Sequence, residues 1–503
     1  MTAEAGARVL REGGNAVDAA VCAVLTSFAV ESPLTGLGAG GFMLVHTAEE
    51  DVLLDFFVEV PGRDGAERRA ELLPISVLFD ETPQVFNIGA ASCGVPGTAA
   101  GLAEALRRFG SVPMADLIGP AVSYARDGVP LNAGQAYLHE LLDPILTEFP
   151  ESRALYAPHG RVLREGETFR FPDLGEALER YGAEGPAPFY RGDVAHAIAE
   201  WVTERGGMLG ADDLAAYEPI AREPVRAQFR GRDVLTNPPP SSGGILVALC
   251  LELLERAGEV GVPQVVATMA EANAARTEEF HSGLYDDGYA ERFLAAARLD
   301  RLSARIASGA PAREPPRGGR LGSTTHITTV DGEGGCAAVT CSNGTGSGML
   351  VPGTGVHVNN MLGEEDLNPL GFHVLPPGSR MTSMMSPTLV LRDGELEAGL
   401  GSGGSNRIRS AILQVILRLV ADGMPVQDAV EAGRVHYEEG VVQAEPGLDA
   451  AALSGLERGD VSVARWRRRN LFFGGVHAVA RDPDSRELQG GGDPRRGGAV
   501  VVL

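Results

Sequence analysis

Positive charge is scarce in this 503-residue sequence, where 43 basic side chains stand against 67 acidic ones for a formal net charge of −24. That balance opposes binding to nucleic acid or to an anionic bilayer. Long apolar runs are missing too: AVCAVLTSFAV at 20–30 falls well short of the roughly 20 residues a membrane-spanning helix needs. Neither nucleic acid nor a membrane is an expected partner. Cysteine is sparse, and the five present (Cys22, Cys93, Cys250, Cys336, Cys341) form an odd set without a C-x-x-C pair. This argues against a disulfide framework and a zinc knuckle, and buried thiols are expected. The ten histidines show no H-E-x-x-H or other ligand spacing, and His436 with Glu438 reads as a surface pair. No metal is expected.

The opening MTAEAGARVLREGGNAVDAAV carries acids and an amphipathic period but no apolar core of a secretory signal. A cytoplasmic protein is the default expectation; a periplasmic or secreted one is the alternative should the true N-terminus lie further upstream. The glycine-rich GLGAGGFMLVHT at 36–47 lacks the lysine of a phosphate-binding loop and runs into a strand pattern where that loop would need a helix. Nucleotide binding is set aside for that reason.

What is present falls into two textures. From residue 3 to about 30, apolar positions recur at helical spacing around Gly13-Gly14, which predicts helix, turn, helix. The stretches at 36–47 and 51–60 predict paired strands, and 98–270 reads as mostly helical. NPPPSSGGILVALCLELLERAG at 237–258 predicts a rigid turn leading into a helix capped by Ser242 or Gly243. From about 306 to 323 the chain is rich in Gly, Pro and Arg without periodicity and reads as an exposed linker. Beyond it come short alternating segments, a hairpin signal at Asp393-Gly394, a long helix after GSGGS, and two late strand candidates, GGVHAVARD and GGAVVVL. Mostly hairpin-linked strands flanked by helices predict antiparallel sheets covered by helices, an α+β fold.

The stretch GSTTHITTVD at 322–331 puts a Thr-Thr pair where the linker meets a strand. Threonine is common in strands, so the pair alone proves nothing. A threonine hydroxyl becomes a useful nucleophile when a base sits beside it, and the threonine's own free α-amine, with a pKa of about 7.7 to 8.0, is such a base. An internal threonine reaches that state if the preceding bond, here Ser323 to Thr324, is cut.

With these residues in hand, the sequence resembles the γ-glutamyltranspeptidase (glutathione hydrolase) family. The resemblance is carried by AGARVLREGGNAVDAAV, GLGAGGFMLVH, VPGTAAGL, NPPPSSGGI, STTHITTVD, HVNNMLGEEDLNP, SMMSPTLV, GSGGSNRI and GGDPRRGG, in order along the chain. It implies an N-terminal-nucleophile hydrolase of four αββα layers. One structural domain would comprise a large chain, 1–323, and a small chain, 324–503, produced by self-cleavage. It implies Thr324 as nucleophile, Thr325 as the second motif threonine, and Ser342 in the place of a hydroxyl that supports the new amine. Gly403 and Gly404 match the oxyanion-hole glycines, where the lack of a Cβ lets backbone N–H groups approach the oxyanion; the loop also reads as a strand-to-helix turn capped by Ser405. The substrate would be a small-molecule amide, the acceptor water or an amine, with no cofactor; the resemblance also admits a dimer of such chain pairs. A strand usually precedes the first helix in this family, and the sequence as it stands begins after it.

Several positions depart from the pattern. Phe57 stands where the family carries an arginine that meets the glutamyl α-carboxylate, so a bidentate charged partner is gone. The family's serine pair becomes Ser383-Met384, a glutamine after the Asn-Asn step becomes Met361, and an asparagine after the supporting hydroxyl becomes Gly344 or slips to Asn343. These changes predict an acyl pocket re-cut for a less polar or differently charged group, unless Arg380 or Arg407 reaches the pocket instead. Glu364 aligns with the family's α-amine ligand, with Glu365 and Asp366 beside it, and Asn359 and Asn360 shape the same wall or hold a turn. Three functions stay open: a γ-glutamyl amidohydrolase or acyltransferase with an altered pocket, an acylase for non-glutamyl side chains like the cephalosporin-acylase branch, and an uncut relative that binds without turnover.

Overall fold

Asn15 starts the helix that centres one half of the protein. Its side chain accepts from the Asp18 N–H at 3.0 Å and the Asp18 carboxylate accepts from the Asn15 N–H at 2.9 Å, satisfying two donors a helix start leaves open. Asp18 is fully buried, and its carboxylate is satisfied there because Ser111 and Val112 also donate to it. All fifteen residues of Ala16–Val30 are buried, so this helix must be covered on every side. The computed structural model describes every residue except 66–68, 80–81, 259, 310–323, 460 and 483.

The elements that build the core are, in chain order, helices α1 (Thr2–Arg11) and α2 (Ala16–Val30), strands β1 (Gly40–His46) and β2 (Asp51–Phe56), helix α3 (Thr98–Phe109), and strands β3 (Ile220–Arg222), β4 (Val225–Phe229) and β5 (Arg232–Thr236). Helix α4 (Gly243–Ala257), strands β6 (Thr325–Val330), β7 (Cys336–Ser342), β8 (Thr388–Arg392) and β9 (Glu395–Gly403), helix α5 (Arg407–Val420), and strands β10 (Gly475–Arg481) and β11 (Leu488–Gly491) follow. One antiparallel sheet runs β6-β7-β1-β2-β3 and a second runs β11-β10-β9-β8-β5-β4. The sheets face each other through β6, β7, β9 and β10. Helices α2 and α3 cover the outer face of the first sheet, and α4 and α5 the second. The fold is therefore α+β with αββα layers, as expected; one apolar core lies between the first sheet and its helices, and the other takes in the space between the sheets as well as that under α4 and α5.

The close approach of the two sheets depends on glycine. A Cβ on Gly401 of β9 would lie 2.3 Å from the His326 ring of β6. The glycine run at 36–41 has a similar purpose: a Cβ on Gly38 would lie 2.1 Å from the His357 carbonyl oxygen, so this loop packs backbone on backbone.

The Asp393-Gly394 hairpin forms, with both residues at positive φ (55° and 86°), as its turn chemistry demands. Other expectations need correction. The region 98–270 is helical for most of its length but contains the β4–β5 hairpin, whose turn at Arg230-Gly231 has positive φ at both residues. GGAVVVL is not a strand: the turn Pro494–Arg496 and the left-handed Gly497 fold the tail back, and Val500 packs over Gly490. The helix Ala296–Ala307 reaches into the segment read as a linker, and its remainder from 310 to 323 lies outside the described residues. All five cysteines are free and buried, as expected. His436 is no surface residue: it is buried, with Nδ1 2.6 Å from the Ser410 hydroxyl and Nε2 3.3 Å from Glu438. Among the described residues, no helix is long and apolar enough to cross a membrane.

Candidate active site

Strand β6 begins one residue after Thr324, and β7 ends on Ser342. Pairing these strands in register, with Thr325 opposite Cys341, brings Thr324 beside Ser342. The Thr324 hydroxyl donates to the Ser342 oxygen at 3.4 Å, and that oxygen also accepts the Gly344 N–H at 3.0 Å. Both side chains are buried yet border one cavity. Ser323, the other half of the expected cleavage site, lies outside the described residues.

Apolar side chains dominate the cavity wall: Phe57, Met361, Leu367, Met384, Met385 and Ile408. Polar groups reach it from Glu364, Asp366, Ser383 and Ser405. None of the described lining residues is cationic. Phe57 is fully buried and stacked on Phe42, ring centroids 5.3 Å apart. Arg380 does not substitute for the missing arginine at the cavity. Its guanidinium donates to the Phe57 carbonyl at 2.6 Å and to the Glu218 carbonyl at 2.7 Å, pairs with Glu59 at 3.2 Å and lies over the Tyr217 ring. Asp55 is held by Arg222 at 2.7 Å. The two acids flanking Phe57 are thus neutralised behind the wall, which answers the cost of leaving them buried beside an apolar residue. Arg407 is also spent elsewhere, 3.7 Å from Glu438 and over the Phe472 ring.

Two loops close the cavity together. Asp366 accepts the Ser405 hydroxyl at 2.5 Å and the Asn406 amide at 3.0 Å, and Asn406 also donates to Glu438 at 3.2 Å. Ser405 was expected to cap the following helix. It sits instead at φ 51°, the N-cap position falls on Asn406 without a side-chain cap, and the hydroxyl is turned to the acid. Ser242 does occupy the N-cap position of α4, but its hydroxyl donates to the Ser383 carbonyl rather than to the helix. That contact, with the Ser241 hydroxyl and the Ser242 and Gly243 N–H groups on the same oxygen, fixes Ser383 and Met384 in the wall.

The remaining expected residues divide. Asn360 is buried behind the cavity and holds Glu364, donating to its carboxylate at 3.1 Å, while its own oxygen accepts the Thr345 N–H. Asn343 points away, donating to the His357 carbonyl, and Gly344 rather than Asn343 borders the cavity. Asn359 ties Gly38 to Gly94 through its amide. Glu365 is exposed and does not line the cavity. Thr325 lies off the cavity: its hydroxyl donates to Glu31 at 2.7 Å, and Thr2 donates to the same carboxylate at 3.0 Å. Burial raises the Glu31 carboxyl above its usual range, only partly offset by these hydroxyl donors.

Gly403 ends β9 against the nucleophile candidate. A Cβ there would lie 2.5 Å from the Thr324 carbonyl oxygen. Gly404 follows at φ 129°, a conformation reserved for glycine, and a Cβ would lie 2.9 Å from the Gly474 Cα. Helix α5 starts three residues later. The Thr324 hydroxyl, the end of β7 and the start of α5 border one cavity, while Gly403 and Gly404 pack beside Thr324 without lining it.

Known proteins resemble the chain over its whole length. Residues 2–503 match the family described as gamma-glutamyltranspeptidase. The chain is 30% identical to the acylase ACY 1 proenzyme of Pseudomonas sp. (strain SE83), over 100% of this chain and 92% of that protein. It is 31% identical to the glutathione hydrolase proenzyme of Escherichia coli (strain K12), over 98% and 88%. Among solved structures, the cephalosporin acylase from Bacillus halodurans superposes with a TM-score of 0.86 at 26% identity, covering 100% of this chain and 94% of the other. The chain belongs to the gamma-glutamyltranspeptidase family.

Proposed function

We propose that the protein is made as a precursor, is cut before Thr324, and then hydrolyses or transfers small amide-linked acyl groups through an ester on the Thr324 hydroxyl, with an acyl pocket suited to a group less polar than glutamate. One observation carries this: Phe57 lies in the same cavity as Thr324 and Ser342, among apolar side chains and with no cation in the described lining. A glutamyl α-carboxylate brought there would lose its water without gaining a charged partner, at a cost of several kcal/mol.

In maturation the Thr324 hydroxyl oxygen attacks the Ser323 carbonyl carbon. The peptide C–N bond breaks as the ester forms, and water hydrolyses that ester, leaving a carboxylate on Ser323 and a free amine on Thr324. In turnover the same oxygen attacks the substrate amide while the amine takes its proton, with Ser342 placed to hold that proton's path. The oxyanion develops toward the Gly403-Gly404 turn, where one well-placed N–H donor is worth about 10² to 10³ in rate. The amine product leaves, and water or a second amine takes the acyl group.

Kinship with proteins named acylase and with proteins named glutathione hydrolase supports the reaction class and leaves the acyl group open. Glu364 favours a second reading, in which the substrate carries an ammonium that this carboxylate receives. Chromogenic anilides of glutamyl, glutaryl and aliphatic acyl groups test the choice. The aliphatic anilides are expected to exceed the glutamyl one in kcat/KM by about tenfold or more, the discrimination of roughly 1–3 kcal/mol an apolar pocket gives. Glutathione turned over efficiently, with Phe57→Ala harmless, would overturn the altered pocket.

A further inference from the structure

Arg496 belongs to the short turn Pro494–Arg496 near the C-terminus and does not line the acyl cavity. Its side chain crosses Gly475, where a Cβ would lie 2.5 Å from the Arg496 Cδ. Gly475 is the register partner of Gly403 on the neighbouring strand. The guanidinium then ends between the glycine turn and the nucleophile candidate. The Cβ position on Gly403 that lies 2.5 Å from the Thr324 carbonyl oxygen lies 3.1 Å from Nη1 of Arg496, and the one on Gly404 lies 3.6 Å from Nη2. Missing Cβ atoms at 403, 404 and 475 together make the groove this one side chain fills.

We propose that Arg496 is a positioning residue of the reaction: a fixed positive charge at the junction of Thr324 and the Gly403-Gly404 turn that favours the neutral form of the Thr324 amine and the negative charge developing at the turn. This rests on Thr324 as the nucleophile. The amine and carbonyl of one residue are roughly 3 Å apart, so a charge placed against the carbonyl also acts on the amine. A like charge within about 4–6 Å disfavours an ammonium, and a base must be neutral to accept a proton.

The other titratable groups near this point are two imidazoles, one acid matched by arginines, and two carboxylates on the far loop. His326 of β6 and His477 of β10 are both held below the usual histidine range by burial, so each is neutral at working pH. Asp493, which precedes the turn, is matched by Arg434 at 2.7 Å and Arg495 at 3.1 Å. Glu364 and Asp366 face the cavity from its other loop, held by Asn360 and by Ser405 with Asn406. Burial brings the Arg496 guanidinium down to about 10, which leaves it charged at neutral pH.

The test compares Arg496→Gln and Arg496→Lys as mature, cleaved enzymes, with thermal midpoints measured alongside. Arg496→Gln is expected to lower kcat about tenfold with KM within about twofold, the pattern of an interaction felt in the transition state. It should also move the acid limb of the kcat/KM profile to higher pH by about one unit, because loss of the cation lets the amine hold its proton longer. Arg496→Lys should return the limb to its wild-type place. Arg496→Met, of similar length, replaces Arg496→Gln with the same expectations if the latter yields no folded protein. An unmoved acid limb and wild-type kcat in the neutral variant would overturn the proposal, as would a lysine variant that behaves like the neutral one. Thr324→Ala separates the two claims: if it stays active, the nucleophile is misassigned; if it is dead while Arg496→Gln is unchanged, only the role of Arg496 fails.

Discussion

Thr324 and Ser342 meet across the paired strands β6 and β7, the Thr324 hydroxyl donating to a Ser342 oxygen that the Gly344 N–H also holds. The backbone donor fixes the serine, so the serine can fix the threonine. Ser342→Ala is expected to slow both chain cleavage and turnover by about 10- to 100-fold, the lower range for removing a group from a proton-transfer path, while KM changes little. Ser342→Thr keeps the hydroxyl and is expected to recover most of both. Time courses of cleavage on denaturing gels and steady-state kinetics check the pair.

Phe57 carries the pocket argument. Its ring is fully buried on Phe42, so Phe57→Ala is expected to destabilise the fold by about 3–5 kcal/mol and to raise KM for an aliphatic anilide. Phe57→Arg is expected to lower turnover of the aliphatic anilide and to improve the glutamyl one relative to it, since it returns a bidentate partner for a carboxylate. Denaturant melts and the two-substrate ratio read these separately.

Gly403 leaves no room for a side chain. A Cβ there meets backbone, the Thr324 carbonyl at 2.5 Å, so Thr324 itself must shift. Gly403→Ala is expected to cost about 10² to 10³ in kcat, as much as a lost oxyanion donor, with a far smaller effect on KM. A kcat near wild type would show that the turn does not face the reacting carbonyl.

Glu31 provides a pH signature. Burial raises its folded carboxyl above the unfolded value, so the native state binds the proton more tightly; its stability is fullest below the ordinary carboxylate range and declines as pH rises through the raised folded value. Glu31→Gln keeps an acceptor for Thr325 and never ionises. Its thermal midpoint is expected to match wild type near pH 4 and exceed it at pH 7. A wild type more stable than Glu31→Gln at pH 7 would mean that the hydroxyl donors outweigh burial.

Local chemistry made much of the fold legible in the sequence. Helical spacing around Gly13-Gly14, the alternation on both sides of residues 331–335 and Asp393-Gly394 each specify an element from neighbours alone, and the structure contains all of them. The tail GGAVVVL failed because alternation says a segment can be a strand, not that an edge is open to receive it. Ser405 failed for a related reason. Its type and position suit a cap, but Asp366, 39 residues away in sequence, takes its hydroxyl.

The site shows the same division. Thr324, Ser342, Glu364 and Phe57 line one cavity, and the register of β6 on β7 brings the first two together. The neutralisation of Asp55 and Glu59 by Arg222 and Arg380, and the path of Arg496 across Gly475, join residues from distant segments. No spacing rule encodes those contacts. Glycines at 403, 404 and 475 were the available signal, since three backbones without a Cβ around one point leave space that another side chain must fill.

The most direct test is the covalent state of the purified protein, read by intact mass and N-terminal sequencing beside the Thr324→Ala variant. Two chains are expected, the smaller beginning at Thr324 and carrying all amide-hydrolysing activity with its partner, and a single inactive chain is expected for Thr324→Ala. An active protein that remains one chain, or a Thr324→Ala variant that still turns over substrate, would contradict the assignment of this threonine.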